Sequence, residues 1–462
     1  MLSCLWDSIA ASGAVAGGEF RGRGATLALA ALAAGSTFGT ALESLRGRSV
    51  LIGTREQLPT ALALLELDGV ARRMVLCTPD LAPERLAGVA ATAQADAIVV
   101  DERSAMTIHS SLTPHVVSPR PIPGLTQRRT SEATEWILLT SGTTGTPKLV
   151  VHTLHSLGGA LPRPAPSATP AIWSTFYDIR RYGGLQIYLR AVLGGSPLVL
   201  SSSGEPVAQF LARAAAAGVT HISGTPSHWR HALMSGEAGI LKPRYVRLSG
   251  EVADQAVLDN LRKVYPDAQI AHAFASTEAG VAFDVNDGRA GFPPGLIDNP
   301  AGGIEMKVVD HTLRIRSGRT AARYLGAAPG VLAGDDGFVD TGDMVDLVEG
   351  RYYFRGRVGG VINVGGLKVY PEEVESVLNA DPRVRMSLVR ARRNPITGAV
   401  VVAEVVLANP ASADAPDAAE LVKRDLLDAC RRALAAHKVP AMVRFVPALE
   451  FTSAGKLVRP GS

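Results

Sequence analysis

Between Thr140 and Lys148 the chain reads TSGTTGTPK, so that five hydroxyls, two glycines and a lysine fall within nine residues. An apolar run, EWILL, precedes it and reads as a buried strand. Gly142 and Gly145 then free the backbone to turn. A turn carrying free N–H groups, the hydroxyls of Thr140, Ser141, Thr143 and Thr144, and the Lys148 ammonium suits a polyphosphate, whose charge is spread over many oxygens that each accept a hydrogen bond. The Walker pattern is not met, because Pro147 stands where its second glycine belongs and Leu149 follows Lys148.

Further chemistry-bearing residues follow in a fixed order. The stretch AHAFASTEAG sets Phe274, Thr277 and Glu278 within five residues: an aromatic face to lie on a purine, a hydroxyl, and a carboxylate able to hold Mg²⁺ beside phosphates. In DTGDMVDL, Asp343 follows a glycine turn, and a carboxylate can accept both hydroxyls of a ribose. FRGRVGGVINVGGLKVYPEEVE joins Arg355 and Arg357 to two glycine pairs and a helix. FTSAGKLVRP presents Lys456 beside a glycine. Taken singly, a Glu or Asp in a turn is a common solvated turn former, and a lysine near a chain end a common surface residue.

The elements that must position these groups fall into an α/β pattern. From Ser49 the runs SVLIGT, RMVLCT and ADAIVVDE alternate with Ala/Leu-rich helical stretches, as a parallel layer requires. ATLALAALAAG, from Ala25 to Gly35, is too short to cross a bilayer and reads as a helix of the fold, and the Pro-rich stretch from Leu112 to Leu125 as a loop. From about Gly302 short strands and turns give a β-rich subdomain. The tail, with helix PEEVESVLNA, strand AVVVAEVVLA and helix LVKRDLLDACRRALAAH, can bury a small α+β core of its own. The expected division is a large multi-subdomain N-terminal core over 1–356 and a small mobile C-terminal domain over 357–462.

Over 462 residues, 47% hydrophobic and 19% charged with a net charge of +4, the composition is that of a folded globular chain. Its arginines are scattered and form no basic stripe, which excludes a nucleic-acid binder. Cys4, Cys77 and Cys430 lie far apart, which excludes a disulfide framework and fits a reducing cytoplasm. No membrane association is expected.

The order of these motifs resembles that of the adenylate-forming superfamily of acyl-CoA synthetases, nonribosomal-peptide adenylation domains and luciferases, over nearly the whole chain. The resemblance implies ATP, Mg²⁺ and CoA as cofactors and a carboxylic acid as substrate. It implies that the 140–148 loop, with Thr140, Ser141, Gly142, Thr143, Thr144, Gly145 and Lys148, closes over the β- and γ-phosphates. Thr277 and Glu278 correspond to the nucleotide and Mg²⁺ contacts, Phe274 to the adenine neighbour, Asp343 to the ribose ligand, Arg357 to a nucleotide-binding arginine and Lys456 to the lysine of adenylation. Gly250 and Glu251, in SGEVAD, match the segment lining the adenine and acyl pockets. Three departures stand out: Phe274-Ala275 replaces the usual aromatic-glycine pair, His272 stands where Asn is common, and the hinge position carries Gly359.

Tyr177 and His228 match segments lining the acyl pocket, as does His272, although Tyr177 also reads as core and His228 as a helix-surface histidine. Asp178 after an aromatic resembles adenylation domains that bind an amino group. Arg180 and Arg181 could pair a second carboxylate, and the GGLQ run resembles o-succinylbenzoate-CoA ligases. His152, His221 and His231 carry no ligand spacing. For the acceptor, the NVGGLKV hairpin, with Gly365, Gly366 and Lys368, resembles the form that lets a pantetheine arm pass, borne either by free CoA or by a separate acyl carrier protein.

Overall fold

The computed structural model describes residues 4–102, 112–124, 132–140, 147–159, 161, 170–300, 302–326, 332–395, 397–409, 416–452 and 455–459. Two sheets form the large domain. In the first, the strands Pro197–Leu200, Trp173–Thr175, His221–Gly224, Tyr245–Ser249 and Gln269–Ser276 run parallel, with antiparallel Gly280–Val285 closing one edge and the Glu19–Arg21 and Thr26–Ala28 hairpin the other. In the second, Thr113–Val116, Ala97–Val100, Ser49–Ile52, Arg73–Leu76 and Glu135–Thr140 are parallel, and Lys148–His152 and Arg323–Leu325 are added antiparallel.

Helices Gln57–Leu67 and Tyr182–Leu193 share one apolar core with strands of both sheets. Every residue of Gln57–Leu67 is buried. A helix covered on all sides needs no polar stripe, and its sequence, QLPTALALLEL, shows none. Its polar groups are paired: Glu66 accepts from the N–H and hydroxyl of Thr37, and Gln57 Nε2 donates to Ser201.

The β-rich subdomain is an antiparallel sheet of Ile304–Val309, Thr312–Ser317, Val339–Val348 and Arg351–Arg357. The C-terminal domain packs helices Pro371–Asn379 and Pro416–Ala433 on the Val384–Asn394, Gly398–Leu407 and Met442–Phe445 sheet. The last strand of the subdomain runs through Arg357, whose register partner is Asp343. The strand itself therefore runs one residue past position 356.

Two expectations are corrected. Ala25–Gly35 is no α-helix: Thr26–Ala28 is a strand, Leu29–Leu32 one 3₁₀ turn, and Gly35–Ser36 a short strand. Gly22 donates its N–H to the Ala25 carbonyl (2.9 Å) and closes a hairpin that lays Thr26–Ala28 on the sheet edge, so tertiary pairing overrides Ala/Leu helix propensity. Within Leu112–Leu125, Thr113–Val116 is an edge strand, where Pro114 is tolerated. All three cysteines are buried and unpaired with one another. Among the described residues no helix is long and apolar enough to cross a membrane.

Candidate active site

Thr140 and Lys148, at the two ends of the hydroxyl segment, face each other as register partners of an antiparallel strand pair. Ser141, Gly142, Thr143, Thr144 and Gly145 themselves lie outside the described residues. Lys148 is exposed, and its Nζ lies 5.1 Å over the ring of Tyr324 on the neighbouring edge strand. The Tyr324 hydroxyl in turn reaches Glu278 Oε1 at 3.5 Å, and burial pushes its pKa up to about 12. Loop base, edge strand and the Glu278 turn therefore converge.

Thr277 and Glu278 sit at the tip of the hairpin between Gln269–Ser276 and Gly280–Val285, fixed by Ala279 N–H on Ser276 Oγ (2.9 Å) and Ala321 N–H on the Glu278 carbonyl (2.9 Å). The Thr277 carbonyl accepts from Nε2 of His152 at 2.7 Å. His152 is fully buried, its Nδ1 lies 3.0 Å from Ser156 Oγ, and burial holds its pKa at about 4, so the ring is neutral. Phe274 stacks on Phe354 (5.1 Å, 9°) and lies near Phe283, within the core under the β-rich subdomain. His272 is turned to the same side, where Nε2 donates to the Arg289 carbonyl at 2.9 Å.

Asp343 and Arg357 form a cross-strand pair, 3.5 Å apart, and Arg357 also donates to the Thr341 carbonyl. Burial raises the Asp343 pKa, against the opposing pull of Arg357 and Lys456. The Phe451–Leu457 bridge makes a small hairpin of the chain end, with Gly455 and Lys456 near its turn. Arg459 anchors it to the C-terminal domain through a bidentate bond to Glu375 (2.9 and 2.8 Å). Lys456 keeps an exposed face yet is flanked by protein: its Cε lies 3.7 Å from where a Cβ on Gly250 would stand. Desolvation lowers its pKa, opposed by Glu251 and Asp343 and reinforced by Arg357 and Arg181. Gly250 has φ +83°, a conformation that favours glycine.

Beside Lys456 lies a neutral aromatic wall. Tyr177 is buried and donates to the Ser249 carbonyl (2.5 Å). His228 stacks on Phe176 (5.6 Å, 18°) and meets Tyr177 edge-on at 5.5 Å. Its Nδ1 accepts the Thr225 N–H at 3.1 Å, and burial lowers its pKa to about 3. The helix-surface reading of His228 is thus overturned: as the third residue of its helix it caps back onto Thr225 and turns into the cleft. Asp178 and Arg180 are corrected too. They bind each other (2.7 and 2.6 Å), and Arg180, with a side chain wholly buried, also donates to the Thr54 carbonyl. Arg181 pairs with Asp80 at 3.0 Å.

Glu251 accepts N–H groups from Ser227 (3.0 Å) and Leu457 (3.4 Å), so it joins the two domains. Gly365 and Gly366, at φ +58° and +88°, make the tight turn between Ile362–Val364 and Leu367–Val369, with Lys368 exposed beyond it. This geometry requires two residues of positive φ whatever else the hairpin does. Gly359 lies in a 3₁₀ turn, Val358–Gly360, with no neighbour within 4 Å of a Cβ placed there. Sequence reasoning missed His152, Tyr324 and Thr225. Only Thr225 carried a readable signal, as a threonine followed by proline before a helix.

Among the described residues no group of three His, Cys, Asp or Glu could hold a metal ion by itself. Glu278, half-buried at a hairpin tip with one long hydroxyl contact, suits a cation whose other ligands are phosphate oxygens and water.

A model of the AMP-binding enzyme family matches residues 54–320, and one of the AMP-binding enzyme C-terminal domain matches 373–456. A 2-succinylbenzoate–CoA ligase of Salmonella typhimurium is 30% identical over 260 residues, covering 54% of this chain and 53% of its own. A p-hydroxybenzoic acid–AMP ligase of Mycobacterium tuberculosis is 27% identical over 360 residues, covering 74% and 50%. The chain thus spans about half the length of these curated relatives. The solved benzoate CoA ligase of Burkholderia xenovorans superposes with a TM-score of 0.80 at 18% identity, covering 98% of both chains. An anthranilate CoA ligase in complex with anthranoyl-AMP gives 0.79 at 19% identity, covering 95% of this chain and 92% of that one. The matched family models and the order of the motifs agree: this chain belongs to the AMP-binding enzymes of the adenylate-forming superfamily.

Proposed function

We propose that this protein is an AMP-forming ligase that adenylates a carboxylic acid with ATP and then transfers the acyl group to the thiol of CoA. One observation carries the reading: the C-terminal domain delivers Lys456 against Gly250, within electrostatic reach of Glu251, Asp343 and Arg357 and beside the aromatic wall of Tyr177 and His228. In the first step a carboxylate oxygen of the acid bonds to the α-phosphorus, the bond to the bridging oxygen breaks, and pyrophosphate leaves with that electron pair. Two anions must approach, so the Lys456 ammonium offsets charge where they meet, and Asp343 orients the nucleotide by accepting ribose hydroxyls. Lys148 and the hydroxyl loop receive the outer phosphates. When bound, Mg²⁺ held by Glu278 would supply further charge neutralisation on those phosphates. In the second step the thiolate attacks the acyl carbon and AMP departs.

The substrate we infer is an uncharged aryl or acyl acid. Phe176, Tyr177, Thr225, Ser249 and neutral His228 offer no charge to a substrate amine or second carboxylate, and Asp178 and Arg180 are spent on each other. The relatives named for succinylbenzoate, p-hydroxybenzoic acid, benzoate and anthranilate favour an aromatic acid. A second acceptor is the pantetheine arm of a carrier protein, which the Gly365–Gly366 hairpin would admit as readily as that of CoA. The test is acid-dependent ATP–pyrophosphate exchange over benzoates, short-chain acids, amino acids and dicarboxylic acids, followed by thioester formation with CoA or with a pantetheinylated carrier. Exchange confined to amino acids would overturn the substrate reading. Exchange with no thioester on either thiol would overturn the second step.

A further inference from the structure

We propose that an oblique row of side chains on the Pro226–Met234 helix and its N-cap is the seat that holds the C-terminal domain with Lys456 in the cleft, and that the acid pocket and this seat share a side chain, His228. Thr225, the N-cap, and His228, His231 and Met234 recur every third residue and form one oblique row that winds about half-way round the helix. Each meets the C-terminal domain. Thr225 Oγ1 donates to the Gly455 carbonyl at 2.7 Å. The His228 ring abuts Gly455 so closely that a Cβ there would fall 1.8 Å from Nε2. His231 lies parallel to Phe451, ring centroids 5.7 Å apart at 6°. Met234 packs on the apolar group of Met386, Leu388, Val406 and Leu449.

Two carboxylates flank the row from the large domain. Glu251 accepts the Leu457 N–H, and Asp254 accepts from Asn379 Nδ2 at 3.2 Å while paired to Arg230. The contacts run from the cap of the helix to its last turn, and the chemical end is the His228 end. A ligand that presses on Phe176 and Tyr177 therefore presses on the ring that limits Gly455. His231 and Met234 lie toward the far end of the seat from the chemistry and serve as positioning residues.

Rested on the two-step reading, the inference has a directional consequence. Contacts made only in the Lys456-in orientation favour the first half-reaction, and their loss shifts the domain toward other orientations. The test is the double variant His231→Ala/Met234→Ala, with Phe451→Ala as the partner-side control. Acid-dependent ATP–pyrophosphate exchange should fall roughly tenfold, the equivalent of about 1.4 kcal/mol for the two seat contacts together. Thioester formation from a synthetic acyl adenylate and CoA should stay within twofold or rise. Hydrogen exchange supplies a readout free of activity: the Gly455 and Leu457 amides should lose protection while those of Val401–Val405 keep theirs. Equal loss in both half-reactions, unchanged exchange rates, or unchanged protection of Leu457 would each overturn the seat. A wild-type protein inactive with every acid, yet losing Leu457 protection in the variant, would overturn the two-step reading and leave the seat standing.

Discussion

Nε2 of His152, at the end of the strand that leaves the hydroxyl loop, donates to the carbonyl of Thr277 at the tip of a hairpin from the other sheet, 2.7 Å away. The bond couples two segments that the sequence separates by 125 residues. A buried carbonyl stripped of its donor costs about 1–3 kcal/mol. His152→Phe should therefore lower unfolding free energy by about that amount and, with Thr277 and Glu278 loosened, raise the Mg²⁺ concentration needed for half-maximal pyrophosphate exchange. His152→Gln, which keeps a donor, should recover part of both. A Phe variant that melts lower but keeps its Mg²⁺ dependence would reduce His152 to a core residue.

Stability should respond to acid with a sign set by these buried groups. His152 has its pKa lowered from 6.5 to about 4, so its contribution is complete above pH 6.5 and is lost as pH falls toward 4. Fully buried, it accounts for about 3 kcal/mol over that window. His221 and His228 are lowered as well, to about 4 and about 3. Asp68 opposes them: burial raises its carboxyl from 3.8 to about 6, so its contribution is present below 3.8 and lost as pH rises through 6. In urea titrations from pH 7 to pH 4 the wild type should lose stability, His152→Phe should lose less, and Asp68→Asn should lose more. Parallel curves for all three would refute these assignments.

The legible part of the site was local. The Thr277-Glu278 turn, Asp343 and the Lys456 hairpin each lie within a few residues, so type and spacing expose them as candidates. What stayed hidden depends on contacts between distant segments. Nothing near Gly455 announces that Thr225 and His228 receive it, and nothing near His152 names Thr277. Asp178 and Arg180 misled for the opposite reason: adjacent charges suggested a ligand, while their nearest partners were each other and the Thr54 carbonyl. In the fold, the parallel layers were readable from strand runs such as SVLI, whereas the Ala/Leu segment at 25–35 shows propensity yielding to a hairpin turn.

Gly455 should be the least replaceable residue of the chain end. Its φ of +67° disfavours a side chain, and a Cβ would strike both Nε2 and Cε1 of His228, at 1.8 and 2.0 Å. Gly455→Ala should abolish pyrophosphate exchange while a supplied acyl adenylate is still converted to thioester, because only the first step needs Gly455 against His228. Combining it with His228→Ala removes the clash but not the backbone penalty, about 1–2 kcal/mol, so exchange should return in part. No recovery in the double variant would mean that the backbone, and not His228, sets the requirement.

Lys456 should separate the half-reactions by chemistry where Gly455 does so by shape. Lys456→Ala should remove exchange and spare conversion of a supplied adenylate. Because desolvation lowers its pKa below the ordinary 10.5, the ammonium is lost earlier on raising pH, and the alkaline limb of exchange should fall before that of thioester formation. Coincident alkaline limbs, or equal loss of both steps in the Ala variant, would assign Lys456 a structural role.

The pivot of the C-terminal domain should lie at Gly359. The chain just before it is held: a Cβ on Gly356 would fall 2.4 Å from Glu372 Oε2, and Arg357 is paired across the sheet with Asp343. At Gly359 the surroundings are open and φ lies outside the left-handed region, so Gly359→Ala fits the Lys456-in orientation without strain. Proline is the poorer probe, because it would push Val358 out of the turn. Reorientation of the domain requires a large dihedral change at one or two residues, and a left-handed setting there costs alanine about 1–2 kcal/mol more than glycine. Gly359→Ala should therefore leave pyrophosphate exchange within twofold and slow thioester formation roughly tenfold. Thioester formation at the wild-type rate would place the pivot elsewhere, and the equally open Gly360 would be the next position to substitute.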